Sequence, residues 1–221
     1  MNRLTEPYWL AWLRWHAGRK RKAHRKYAAM WRFRRLVRTL PPGGIAIDCG
    51  ANVGDATALF LAAGQTVHAF EPDPEARAVL ERRFAANPRL VIHPQAVGAT
   101  AGRATLHRRP AAGAGGLAHT RSSSLLAQAR HRDGAAVEVE VADLLAFLAG
   151  LDAPVAVLKL DVEGAEADIL DRLLDERRDR AIGHIFVETH EKFSDDMRAR
   201  IEAIRGRVAT LGIANLELDW Q

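Results

Sequence analysis

Residues able to do chemistry gather at three places in this 221-residue chain. Asp48, Gly50, Asn52 and Gly54 follow a short apolar run, Ile45–Ile47, and lead into a helical pattern. Glu71 ends the next apolar run. Lys159, Asp161, Glu163 and Glu166 then fall within eight residues of one another, and Glu188, Thr189 and His190 close the set. Glycines after a strand let backbone approach a ligand, and a helix N-terminus offers unpaired N–H groups, so the first group reads as a nucleotide-type pocket. It is not the dinucleotide fingerprint, which needs glycine where this chain has Asn52 and Asp55. An acidic residue at a helix N-terminus already occupies the positive end of the dipole and disfavours a pyrophosphate. Glu71, 17 residues beyond Gly54, is a carboxylate able to accept two hydrogen bonds from a ribose diol. The ligand these residues suit is a nucleoside carrying a cation or zwitterion, such as an adenosine bearing a sulfonium amino acid.

The elements that must position these residues alternate strand and helix from Gly44 onward, which predicts an α/β fold with a doubly wound, mostly parallel sheet. Ile45–Ile47, bounded by Pro41-Pro42-Gly43-Gly44, reads as a buried strand, followed by a helix over Asp55–Ala63. Strand Thr66–Phe70, helix Asp73–Ala86 and strand Arg89–His93 come next, and the loop after this third strand makes Ala96 and Val97 candidate pocket walls. Arg103–His107 and Val137–Val141 read as extended, separated by a long stretch holding Gly113-Ala114-Gly115-Gly116 and Ser122-Ser123-Ser124. A short helix, Asp143–Ala149, has Asp143 as its cap. Val155–Leu160 is the next strand, in which Lys159 stands out because charge is rare in a buried parallel strand. Helix Ala165–Arg178, strand Ile185–Val187, helix Asp195–Arg207 and a last strand over Leu216–Trp220 complete the chain.

The blocks Asp48-Cys49-Gly50-Ala51-Asn52-Val53-Gly54-Asp55, Phe70-Glu71-Pro72 and Leu158-Lys159-Leu160-Asp161-Val162-Glu163-Gly164-Ala165-Glu166, in that order, resemble the FkbM family of methyltransferases. The resemblance runs from about Gly44 to Glu191 and implies the Rossmann-like class I methyltransferase fold with S-adenosyl-L-methionine as cofactor. On that resemblance Gly50, Asn52 and Gly54 surround the methionine part of the cofactor. Asp48 bonds its ammonium directly or through a water, and Glu71 holds the ribose. The Ser-containing stretch would form a substrate lid. The family fold ends in a two-strand hairpin, for which this tail is short, so six strands are expected rather than seven.

Methyl transfer from a sulfonium needs an oriented acceptor, a group to take its proton and exclusion of water. His190 and Asp161 are the candidate bases, with Glu188 orienting His190. Glu163 faces the acceptor, and Lys159 holds an acceptor oxygen or carboxylate or pairs with Asp161. The expected acceptor is a hydroxyl on a glycan or glycolipid, with a small-molecule or protein acceptor as the alternative. A divalent metal held by Asp161, Glu163, Glu188 and His190 is a rival mechanism, although no spacing demands one. Zinc is disfavoured by a single cysteine and scattered histidines. An NAD-dependent oxidoreductase using Glu71 and a non-catalytic binding module on the same scaffold are the two other classes left open.

Charge divides the chain. Residues 1–40 hold twelve of the 32 Lys and Arg against one acid, Glu6; this +11 leaves −6 on the remainder of a chain of net charge +5. Four of the five tryptophans, Trp9, Trp12, Trp15 and Trp31, also fall there. Two helical stretches are expected. The first carries Trp9, Leu10, Leu13 and Ala17, and the second carries Ala23, Tyr27, Met30, Phe33, Val37 and Leu40 on one side and ends by Pro41-Pro42. Residues 1–40 thus read as a basic, Trp-rich extension and 41–221 as the catalytic domain. The extension packs on the core or a partner chain, lies on an anionic membrane surface, or, least favoured, contacts RNA. With no leader pattern and no long apolar run, a cytoplasmic protein is expected, peripheral at the inner membrane face if the extension binds lipid. Cys49 is expected to be buried as a small hydrophobe.

Overall fold

The structure, a computed structural model, describes residues 21–107, 136–218 and 220, with backbone alone for residues 21–27. The first expected helix with Trp9, Trp12 and Trp15, the side chains of Ala23 and Tyr27, and the Gly- and Ser-rich lid segment lie outside the described residues.

Six strands form one sheet in the order β3-β2-β1-β7-β8-β9, all parallel. They are β1 (Ile45–Cys49), β2 (Thr66–Phe70), β3 (Leu90–His93), β7 (Val155–Leu160), β8 (Ile182–Val187) and β9 (Leu216–Glu217). The central strands are apolar almost throughout, as a sheet covered on both faces requires. One face buries Leu144 and Leu145 of α4 (Leu144–Ala149), Ile169, Leu170, Leu173 and Leu174 of α5 (Glu166–Asp175), and Met197, Ile201 and Ile204 of α6 (Asp195–Thr210). The other buries Met30, Phe33 and Val37 of α1 (Arg21–Thr39), Ala56, Phe60 and Leu61 of α2 (Asp55–Ala62), and Leu80 of α3 (Pro74–Arg83). This is the doubly wound arrangement expected from the strand–helix alternation.

The helix ends follow local chemistry. Asp73 caps α3 by accepting the amides of Glu75 and Ala76, with Pro74 in the first turn where no N–H is missed. Asp143 caps α4 through the amide of Ala146, and Ser194 caps α6 through that of Met197. Helix α5 stops at Asp175, three residues before the expected Arg178, because Arg177 turns into the left-handed region and a 3-10 turn over Arg178–Ala181 follows. Helix α6 runs on to Thr210, past the expected Arg207.

A second, three-stranded sheet departs from the expectation. Strand β6 (Ala136–Asp143) pairs antiparallel with β5 (Gly102–His107) and parallel with β4 (Ala96–Gly98). Three residues are too few to show a period, so β4 read as loop. Strand β9 keeps only two of the five expected residues, although Trp220 beyond it is buried.

Helix α1 is part of the core. Phe33 is fully buried, with its ring centroid 4.9 Å from Phe186, 5.1 Å from Trp220 and 5.7 Å from Phe60. The boundary drawn at residue 40 therefore crosses a packed interface: the second half of the basic extension shares its hydrophobic core with the sheet.

Candidate active site

Strand β1 lies between β2 and β7, so the chain winds outward to β3 and then crosses to the other side of β1. In open α/β sheets the crevice at such a reversal, outside the carboxyl ends of the strands, is where ligands bind. The carboxyl ends of β1, β2, β7 and β8 and the segments that follow them carry all three groups of residues picked out in the sequence, whereas Ala96 and Val97 lie in β4 of the second sheet.

These loops are laced to one another. The amides of Gly50 and Ala51 both donate to Phe70 O at 3.0 Å, that of Asp161 to Cys49 O at 3.1 Å, and that of Glu188 to Leu160 O at 2.8 Å. Gly50 has φ +77°, and a Cβ there would stand 1.9 Å from the carbonyl oxygen of Asp161. Gly54 has φ +86°, and its Cβ would meet Leu80 and Phe84 at 2.5 Å. Both glycines are thus demanded by the chain's own packing, not only by room for a ligand. Asn52 between them is left-handed without being glycine, at φ 51°, and its Oδ1 accepts the amide of Val53 at 2.8 Å.

Glu71 joins the two loops. Its Oε2 accepts the amide of Asn52 at 2.7 Å and its Oε1 the amide of Asp73 at 2.8 Å, while the residue is 5% exposed. Each oxygen takes one amide and keeps further acceptor capacity, which suits a pair of ribose hydroxyls. Burial pushes this carboxyl up to about 7, against the amides of Asp73 and Asn52, which favour its ionised form. At the start of α2, Arg83 reaches Asp55 Oδ1 at 2.8 Å and Val53 O at 2.9 Å, holding an acid on the helix terminus where a phosphate would otherwise sit.

Asp48 departs from its expected place beside the methionine part. It is wholly buried, with Oδ2 accepting from Thr57 Oγ1 at 2.7 Å and Oδ1 paired with Lys159 Nζ at 3.2 Å. It acts on the glycine turn through Lys159, which donates to Gly50 O. Lys159 is buried as well, donating to Gly50 O at 2.8 Å, standing 3.3 Å from Asp161 Oδ2 and lying 5.5 Å from the ring centroid of Trp220. Burial alone would lower its pKa, but the charges of Asp48 and Asp161 prevail and raise it, so the side chain stays an ammonium. The expected pairing with Asp161 is present. Cys49 is buried, and burial with Asp48 alongside pushes its thiol up, away from reactivity.

His190 is 2% exposed and held at both ring nitrogens: Nδ1 lies 2.8 Å from Glu166 Oε1, and Nε2 lies 3.2 Å from Glu163 Oε2. Burial works to lower its pKa, yet the hydrogen bonds to Glu163 and Glu166 outweigh it and push it up to about 11. An imidazolium donating from both nitrogens has no lone pair with which to take a proton, so in this arrangement His190 is a positioning cation and not a base. Glu166 takes the orienting place expected of Glu188, whose charge is one of those that raise the pKa of Lys159. Asp161 and Glu163 keep about a quarter of their side-chain surface exposed at the crevice. Ala96 and Val97 are buried in β4, Ala96 against Leu106 and Val139 and Val97 in the main core, so they wall the protein interior.

The profile of the methyltransferase FkbM domain matches residues 48–208, nearly three quarters of the chain. The chain belongs to the FkbM methyltransferase family. No curated protein matches it. The matched span begins at Asp48 and takes in Glu71, Lys159, Asp161, Glu163 and His190, so the loops at the β1–β7 reversal belong to the shared domain. The chain is thus a methyltransferase by family, on a Rossmann-like fold.

Two residues escaped the sequence reading. Thr57, in the first turn of α2, is fully buried on Asp48, and nothing in an Ala-Thr-Ala helix advertises that bond. Asp73 brings its amide to Glu71 while its side chain caps α3; the Asp73-Pro74 pair marked the start of a helix but not the link.

Proposed function

We propose that this chain transfers the methyl group of S-adenosylmethionine to a hydroxyl of a glycan or glycolipid-type acceptor. The observation that carries the reading is Glu71: a nearly buried carboxylate, bridging two loops at the sheet's switch point, with acceptor capacity left on both oxygens. That donor set fits the cofactor. A ribose diol supplies the two donors Glu71 lacks, the loop Gly50–Gly54 lies beside it, and Asp55 with Arg83 disfavours a polyphosphate.

When bound, S-adenosylmethionine supplies a methyl group already activated on a sulfonium. The chain's own residues bind, orient and take a proton. Glu71 fixes the ribose, and its ties to Asn52 and Asp73 hold both loops in place before the cofactor arrives. Lys159, neutralised by Asp48 and Asp161, pins the β1 loop to β7 through Gly50 O. Asp161 and Glu163, partly exposed at the crevice, are the carboxylates suited to accept the acceptor's hydroxyl proton. His190, held by Glu163 and Glu166, positions Glu163.

Contact with an anionic membrane through the basic extension is part of the same proposal. It is supported by α1, where Trp31 is 45% exposed with the Arg35 guanidinium 5.3 Å from its ring centroid. Among the described residues no helix is long and apolar enough to cross a bilayer.

The test is incubation of the full chain with methyl-labelled S-adenosylmethionine and a panel of saccharide and glycolipid acceptors. Label carried into a hydroxyl acceptor and lost in Asp161→Asn is the expected result. Transfer to amines alone, or transfer unaffected by Asp161→Asn and Glu163→Gln, contradicts the proposal.

A further inference from the structure

We infer that Asp161, Glu163 and His190 form a site for one divalent transition-metal cation, of the Mn²⁺ type, at the mouth of the crevice. One imidazole nitrogen and one oxygen from each carboxylate lie within 4.8 Å of one another. His190 Nε2 and Glu163 Oε2 are 3.2 Å apart, and two donors each about 2.1 Å from one ion stand about 3.0–3.4 Å apart. The pair is therefore spaced as adjacent ligands already are, with the position between them held by a proton when no ion is bound.

Glu166 makes the site more than a chance meeting of acids. It is wholly buried, and its Oε1 faces His190 Nδ1 at 2.8 Å, which fixes the ring and directs Nε2 at Glu163. A carboxylate on the far nitrogen of a histidine is the outer-shell arrangement that orients metal-ligating imidazoles. Glu166 is itself fixed by the amides of Val162, at 3.1 Å, and Gly164, at 2.9 Å, on the loop that bears Asp161 and Glu163. One buried side chain thus holds both the imidazole and the backbone of the loop that carries the two carboxylates. On the other side, Lys159 pairs with one oxygen of Asp161, Oδ2, at 3.3 Å, and the partly exposed carboxylate keeps its second oxygen for an ion.

The donor set selects among cations. An imidazole with two carboxylates suits Mn²⁺, Fe²⁺ or Zn²⁺ better than Ca²⁺ or Mg²⁺, which take oxygen donors. Three protein ligands leave coordination positions open toward the crevice. An acceptor presenting a hydroxyl beside a second oxygen, as a vicinal diol does, fills two of them, and cation binding there lowers the pKa of the hydroxyl. The acceptor's part in this rests on the methyltransferase reading; the cation site does not.

The experiment uses the full chain, stripped with a chelator, desalted and titrated with MnCl₂ while the free Mn²⁺ signal is followed by electron paramagnetic resonance. One Mn²⁺ taken up per chain is expected, with at least a tenfold loss of affinity in both Asp161→Asn and Glu163→Gln. The exposed Asp152→Asn serves as control and should bind as the parent does, with circular dichroism verifying the fold of each variant. No uptake by the folded parent, or uptake retained in both site variants, overturns the inference. A parallel titration with S-adenosylhomocysteine separates the two readings. Mn²⁺ uptake without nucleoside binding leaves the cation site standing and removes the methyltransferase proposal; nucleoside binding without Mn²⁺ uptake does the reverse.

Discussion

Cofactor binding should depend on pH through Glu71, and the size of the effect follows from its surroundings. Burial raises the carboxyl from an ordinary 4.5 to about 7, so in the free protein it is about half protonated near neutrality. Ribose hydroxyls donate to the ionised form. If that form is required, affinity follows the ionised fraction, which rises from about one tenth at pH 6 to about nine tenths at pH 8. Binding of S-adenosylhomocysteine should therefore strengthen about tenfold over this range, equivalent to about 1.4 kcal/mol. Stability runs the other way. A folded pKa above the unfolded one stabilises the fold fully below pH 4.5 and loses that contribution as pH rises through about 7, a loss of about 3 kcal/mol that then levels off. Calorimetric titration at pH 6 and pH 8, on the parent and on Glu71→Gln, isolates the residue from histidines and from the ligand's own groups. Glu71→Gln should bind about 1.5–3 kcal/mol more weakly at pH 8, the worth of hydrogen bonds to a charged group, and lose the slope. Equal parental affinity at the two pH values, or an unchanged slope in the variant, would refute the ribose role.

Three further outcomes concern the scaffold. Gly54→Ala places a methyl 2.5 Å from Leu80 and Phe84 on a left-handed backbone, so urea unfolding should show a loss of about 2–4 kcal/mol; no loss would mean the turn adapts freely. Phe33→Ala empties a site enclosed by Phe60, Phe186 and Trp220 and should cost about 3–5 kcal/mol. A cost under 1 kcal/mol would show that α1 is detachable. Lys159→Met leaves Asp48 charged and buried, a penalty of about 3–5 kcal/mol by the same assay, and adding Asp48→Asn should recover part of it. Simple additivity of the two changes would argue against the buried pair.

What was legible in the sequence was whatever is local. Apolar runs such as Val155–Leu160 gave strands, and Asp73-Pro74 and Asp143 gave helix starts, because a cap and its amides are three residues apart. The position of the crevice followed from strand–helix alternation and the glycines. What escaped depends on partners distant in the chain. Lys159 answers Asp48 only because β1 and β7 pair with those two residues in register. Glu166, 24 residues before His190, takes the orienting place first given to Glu188, since a loop turning at Glu163, φ 56°, and Gly164, φ 123°, brings it under the ring. The same distance hid the roles of the glycines, whose crowding comes from Asp161, Leu80 and Phe84. Strand β4 is simply too short to leave a pattern.

The most direct measurement is a calorimetric titration of the purified full chain with S-adenosylhomocysteine at pH 8, where Glu71 is ionised. Saturable binding of one molecule per chain, lost in Glu71→Ala while circular dichroism stays unchanged, is the result this account predicts. A folded chain that takes up none, or takes it up equally with Ala at position 71, would contradict it.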